Sequence, residues 1–178
     1  MAEPASQVEL AGELVEDLRA IGLAPVLVGG MALVIRGSRR VTRDFDFVIA
    51  HPGERLDALL ERLYGRGLEL VSRFDDLGNI VTTIDNRTVA GARLRIDKPA
   101  SAHFYNPSNG LRIDLLFDFP LDATTLDARA TKTRIRSHLF AIASDQDLLT
   151  LKRIAAAARS APGDAQDIAF LEARLRGA

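Results

Sequence analysis

The chain has 178 residues, 24 acidic and 23 basic side chains, a formal net charge of −1 and no cysteine. A hydrophobic content of 47% suits one domain with a sizeable core, and the balanced charge excludes a dedicated nucleic-acid binder, so any such contact must be local. The lack of cysteine excludes disulfides, thiolate chemistry and cysteine-ligated zinc. The acidic, amphipathic N-terminus is unlike a signal peptide and no apolar stretch approaches membrane-spanning length, which predicts a cytoplasmic protein with no membrane contact.

Ser6-Gln7-Val8-Glu9 has the form of a capping box, and Val8, Ala11, Leu14, Val15, Leu18 and Ile21 recur at helical spacing until Gly22. After Pro25, the apolar run Val26 to Val28 reads as a strand that stops at Gly29-Gly30, and Met31 to Ile35 as a short helix ended by Gly37. Arg36, Arg39, Arg40 and Arg43 follow, and Asp44 to Ile49 opens a second strand. A turn at His51-Pro52-Gly53 precedes an amphipathic helix carrying Leu56, Leu59, Leu60, Leu63 and Tyr64.

Leu68 to Phe74 and Asn79 to Ile84 read as strands, Arg87 to Ile96 as another, and the Ser-, Asn- and Pro-rich residues 98–110 as loop. Leu111 to Phe119 is a strong strand with apolar odd positions and Arg112, Asp114 and Asp118 at even ones. Leu121 to Ala130 reads as a short helix and Arg134 to Ala143 as a strand. Ser144 then caps a long helix, Asp145 to Ser160, with Lys152 beside a stripe of Leu148, Leu151, Ala155 and Ala158. The turn Ala161-Pro162-Gly163 leads to a last helix with Ile168, Leu171 and Leu175 inward. Asp164 and Asp167 stand in its first turn, where both can serve the helix N-terminus, the preferred reading for Asp164. The chain divides into a core, residues 1–143, and a helical region, 144–178, packed on it.

The chemistry concentrates between Val26 and Ala50. Glycines after a strand let backbone N–H groups approach an anion, so Gly29 and Gly30 suit a phosphate. Strand alternation puts Asp44 and Asp46 on one face with Cα atoms roughly 6–7 Å apart, a repulsive arrangement unless a cation lies between them. Such hard oxygen donors select Mg²⁺ or Mn²⁺; the alternative is a solvated strand end. Asp114, a carboxylate in mid-strand, needs a partner and is the natural third metal ligand, with a salt bridge to an arginine as its alternative.

The pattern Gly29-Gly30-x-Ala32, then Gly37-x-x-Arg40-x-Thr42-x-Asp44-Phe45-Asp46-Phe47, resembles the DNA polymerase β-like nucleotidyltransferase superfamily. Within it the pattern is most similar to the AbiEii-type branch, the nucleotidyltransferase toxins of type IV toxin–antitoxin systems. Asp114 on a later strand, Lys152 on a helix with Arg159 beyond it, and Asp167 on the next helix extend the resemblance. It implies an α/β (α+β) fold: a mixed twisted sheet of about four or five strands flanked by helices, with a helical C-terminal region. It also implies transfer of a nucleotidyl group from an NTP to an acceptor hydroxyl, with release of pyrophosphate. Asp44, Asp46 and Asp114 would hold Mg²⁺ or Mn²⁺, Gly29, Gly30, Arg40, Thr42 and Lys152 the nucleotide, and Asp167 would orient Lys152. Many members carry serine at the second glycine; with Gly30 here, that phosphate contact must come from backbone or from Arg40 and Thr42.

By the same resemblance the acceptor is RNA, a tRNA 3′ end, and the partner a cognate antitoxin protein. Antibiotic nucleotidyltransferases share the Gly-Gly and Arg-x-Thr-Arg elements but usually place extra residues before Asp-x-Asp, and this chain has none. A hydroxyl on a partner protein is a further acceptor, and a non-catalytic antitoxin or regulatory module that keeps the fold is the reading from another class. Gly-x-x-x-x-Gly-Lys-Ser/Thr, Gly-x-Gly-x-x-Gly and Gly-x-Ser-x-Gly are all absent. His51, His103 and His138 are isolated and read as turn, loop or strand residues. Near-neutral charge makes sequence-independent RNA binding weak unless arginines such as Arg36, Arg39, Arg134 and Arg136 cluster on one side of the cleft.

Overall fold

The computed structural model describes residues 3–177. Strand periodicity is clearest in β2 (Asp44–Ile49) and β6 (Arg112–Phe117), which run parallel and in register with Phe45, Phe47, Ile113 and Leu115 buried on one face. Burying each such side chain stabilises the fold by about 1.5–3 kcal/mol. α1 (Pro4–Ala20) and α3 (Leu56–Gly65) bring Leu14, Leu18, Leu59 and Leu63 into the same core.

Around this pair lie β1 (Val26–Val28), β3 (Glu69–Phe74), β4 (Ile80–Ile84), β5 (Ser101–Tyr105), β7 (Thr131–Ile135) and β8 (His138–Ile142), in the sheet order β4-β3-β5-β6-β2-β1-β8-β7. Two adjacent pairs, β2/β6 and β1/β8, are parallel and the others antiparallel, so the sheet is mixed as expected. The remaining helices are α2 (Gly29–Ile35), α4 (Arg87–Asp97), α5 (Ala123–Arg129), α6 (Asp145–Ala158) and α7 (Pro162–Gly177). No helix among the described residues is long and apolar enough to cross a membrane.

Several expectations are corrected. The sheet has eight strands rather than four or five, because the β3–β4 hairpin extends one edge and the β7–β8 hairpin the other. Residues 87–97 form a helix, not a strand: the Asn86 side chain accepts the Val89 N–H at 3.1 Å, and Ala90, Gly91 and Leu94 are its buried residues. The stretch 98–110 is not all loop, since Ala102 and Phe104 alternate inward on β5, antiparallel to β6. The strand expected over 134–143 is the turn and second arm of the β7–β8 hairpin, with Arg136 in left-handed backbone at φ 55. α1 starts at Pro4 with Glu3 as an N-cap that makes no side-chain cap bond, and Ser6 Oγ donates to the Glu3 carbonyl instead of capping. Proline suits a first turn, where its missing N–H needs no partner.

Candidate active site

β1 turns directly into α2 at Gly29, whose φ of +68 favours glycine. A Cβ there would stand 2.0 Å from Asp46 Oδ2, so the glycine also makes room for that carboxylate. At Gly30 a Cβ would meet Arg40 Cζ at 3.0 Å and Thr42 Oγ1 at 3.1 Å. Arg40 and Thr42 therefore fill the space over Gly30 that a larger side chain would take.

The parallel register sets Asp46 beside Asp114 and Asp44 beside Arg112. Burial, then the Asp114 charge, pushes the Asp46 carboxyl up to about 8. Burial, then Asp114, also raises Asp44, which has Arg112 Nη1 at 3.9 Å. Asp114 Oδ1 lies 2.7 Å from His103 Nδ1, a contact that holds the imidazole above its usual range.

In donor chemistry Asp44, Asp46 and Asp114 fit a hard divalent cation, since their mutual repulsion is what such an ion relieves. Among the described residues, no three His, Cys, Asp or Glu side chains are arranged as a metal cage. The repulsive pair favours a cation without closing around one.

The cationic side is built from the last two helices. Lys152, buried on α6, extends Nζ to 2.8 Å from Asp167 Oδ2 and 3.5 Å from Asp164 Oδ1. Asp167 is also paired with Arg40, so one buried carboxylate joins the glycine-loop arginine to the helix lysine. Asp164 does more than serve the α7 N-terminus. It is buried, with Arg159 Nε and Nη2 both at 3.3 Å, and Arg159 and Lys152 hold it below the usual range against the opposing effect of burial.

These groups surround a cleft of about 490 Å³ lined by Gly29, Gly30, Arg40, Thr42, Asp44, Asp46, Asp114, Lys152 and Arg159. Of the residues expected in the site, Asp167 alone lies behind that lining, holding Arg40 and Lys152. Leu116, Phe119, Leu148, Leu151 and Ile154 form an apolar wall. The cleft can take a ligand with an anionic end and a flat apolar body.

Sequence reasoning passed over His103 and the second role of Asp164. The Asp164-x-x-Asp167 spacing, which puts both carboxylates on one helix face, was the available signal for the latter. The named arginines do not gather at the cleft: Arg36 faces Asp145 at 3.4 Å, Arg39 is exposed and outside the cleft lining, and Arg134 and Arg136 belong to the β7–β8 hairpin at the sheet edge.

No family model matches the chain, and neither does any curated protein. Solved structures do match. An antigenic nucleotidyltransferase-like protein from Paracoccidioides brasiliensis superposes with a TM-score of 0.61 at 17% identity, over 94% of this chain and 76% of that one. The antibiotic-resistance factor ANT(2'')-Ia gives 0.59 at 13% identity, over 97% and 86%. The lincosamide antibiotic adenylyltransferase LnuA, with lincomycin bound, gives 0.57 at 12% identity, over 92% and 95%. At such identities the likeness carries the architecture alone: this chain has the polymerase β-like nucleotidyltransferase fold.

Proposed function

We propose that the protein is a nucleotidyltransferase that moves an NMP group from an NTP to an acceptor hydroxyl. The observation that carries this is the paired carboxylates Asp46 and Asp114, in register on adjacent strands beside the Gly29 turn, with Lys152 and Arg40 lining the same cleft. In the reaction the acceptor oxygen bonds to the α-phosphorus, the bond from that phosphorus to the bridging oxygen breaks, and pyrophosphate leaves with the electron pair.

Lys152 and Arg40 counter the charge of the β- and γ-phosphates, and Asp167 fixes both cations. The Gly29–Gly30 turn that opens α2 would offer its backbone N–H groups to the phosphates. Asp114, oriented by His103, faces the acceptor hydroxyl and takes its proton. Asp44, Asp46 and Asp114 would hold Mg²⁺ or Mn²⁺, which supplies charge neutralisation and acidifies the acceptor.

The acceptor we favour is RNA, a tRNA 3′ end, in an AbiEii-like toxin held in check by a cognate antitoxin protein. That assignment rests on the motif spacing, which lacks the extra residues usual in antibiotic-modifying enzymes. A small-molecule acceptor is the second reading, favoured by the fold likeness to an adenylyltransferase solved with lincomycin.

Incubation with α-labelled NTPs, Mg²⁺ and total RNA tests the proposal. Wild type should transfer label, and Asp46→Ala and Lys152→Ala should each lower transfer at least a hundredfold, about 2.7 kcal/mol of lost transition-state stabilisation. Equal transfer by Asp46→Ala would defeat the catalytic assignment. Calorimetric titration separates a non-catalytic module, which would bind neither Mg²⁺ nor NTP.

A further inference from the structure

On β5 and β6 one face is buried and the residues of the other, which bears the carboxylates, are partly exposed. Register sorts that second face into rows. Asp44, Arg112, Tyr105 and Glu69 stand abreast on β2, β6, β5 and β3. Asp46, Asp114 and His103 form the next row, which Phe74 extends through an edge-to-face contact with the His103 ring at 5.2 Å. At about 4.8 Å per strand, the rows reach roughly 14 Å outward from the cleft mouth at β2 to β3.

Building on the transferase reading above, we propose that this sheet face is the acceptor platform and that it takes the unpaired 3′ end of an RNA. Position is the first argument. A hydroxyl that meets Asp114 while a nucleotide fills the cleft between Gly29 and Lys152 must arrive from the β5 side, where the His103 side chain is 42% exposed.

Chemistry is the second. Tyr105, His103 and Phe74 give three rings on adjacent strands, and base faces stack on such rings without regard to sequence. Arg112 lies over the Tyr105 ring at 5.9 Å, so a guanidinium group borders the rings where a backbone phosphate would pass.

A polycationic amino-sugar fits less well. Asp44 has Arg112, Asp114 has His103 and Glu69 accepts from Thr83, so three of the four carboxylates in the rows already have a partner. A duplex keeps its bases stacked internally and offers the rings nothing to stack on. The platform thus selects unpaired ends, and its rings lie outside the set of groups that hold the triphosphate.

Fluorescence anisotropy with a short fluorescein-labelled single-stranded RNA, without NTP and with EDTA present, tests this. Wild type should bind the RNA in a salt-dependent way, and not the same sequence annealed into a duplex. Tyr105→Ala and Phe74→Ala should each weaken binding about tenfold, the loss of one stacked base, while NTP and Mg²⁺ titrations stay as in wild type. Arg134→Ala, on the far hairpin, should bind like wild type.

Wild-type binding that is absent, equal for the duplex or indifferent to both ring substitutions overturns the platform. Label transfer to a protein or a small molecule with full activity in Tyr105→Ala also overturns it, yet leaves the transferase standing. Failure of wild type to bind NTP and Mg²⁺ removes the transferase itself.

Discussion

Gly12 lies in the middle of α1, where alanine would ordinarily favour the helix by about 1 kcal/mol. A Cβ at that position would stand 2.3 Å from Cγ of the buried His138 ring, and a rigid ring cannot slip aside as the end of a lysine can. Gly12→Ala should therefore destabilise the protein by about 1–3 kcal/mol in urea unfolding. In a His138→Ala background the same substitution should become neutral or stabilising. Single positions differ in how well the sequence displays them. Gly29, Gly30, Asp44 and Asp46 are legible because their spacing within one short stretch already implies a joint task. His103 carries no such mark, since its partner Asp114 lies eleven residues away and only the β5–β6 pairing brings them abreast.

Between elements, the ionic links from α6 and α7 to the glycine loop set the geometry of the cleft. Arg174 of α7 bonds Asp145 of α6 at 2.9 Å and the Arg36 carbonyl just past α2 at 3.0 Å, while Asp167 holds Arg40 and Lys152. Truncating Asp167 would leave the Lys152 ammonium, with a side chain 11% exposed, facing Asp164 alone at 3.5 Å. Breaking a buried pair from one side costs about 3–5 kcal/mol, so Asp167→Ala should lose that much stability in denaturant titration. Lys152→Met/Asp167→Leu, which removes both charges but leaves Arg40 without Asp167, should recover part of the stability and none of the NTP affinity. Recovery of NTP affinity would remove Lys152 from the phosphate-binding set.

The elements misread from sequence share a physical cause. In α4, Val89 and Ile96 are 53% and 80% exposed, so apolar side chains on the solvent side imitated strand alternation and masked the narrow stripe of Ala90, Gly91 and Leu94. β5 is only five residues long and exists by pairing with β6 and β3, contacts that no local periodicity announces. The strong strands were legible because burial on one face imposes period two over all six residues of β6 and from Asp44 to Phe47 in β2.

At the scale of the whole molecule, His138 ties the N-terminal helix to a strand more than a hundred residues later. Its Nδ1 lies 2.8 Å from Glu16 and its Nε2 2.7 Å from Glu9, both on α1, and Ser137 Oγ donates to the same Glu9. The Glu16 bond, then that of Glu9, holds the imidazole above its ordinary value near 6.5 against the effect of burial. A group whose folded pKa exceeds its unfolded one binds protons more strongly when folded. The resulting stability is fully present below about pH 6.5 and is lost as pH rises through the raised folded value.

Glu9 limits the acid side. The Ser137 bond, then His138, holds it below the usual carboxylate range, so its share fades as pH falls through that lowered value. The urea midpoint of wild type should accordingly fall as pH rises from 6.5 into the alkaline range. His138→Gln stays neutral throughout, so its deficit relative to wild type should be largest near pH 6 and shrink steadily above it. A deficit independent of pH would mean that the ring holds α1 to β8 by packing alone, with no ionic contribution.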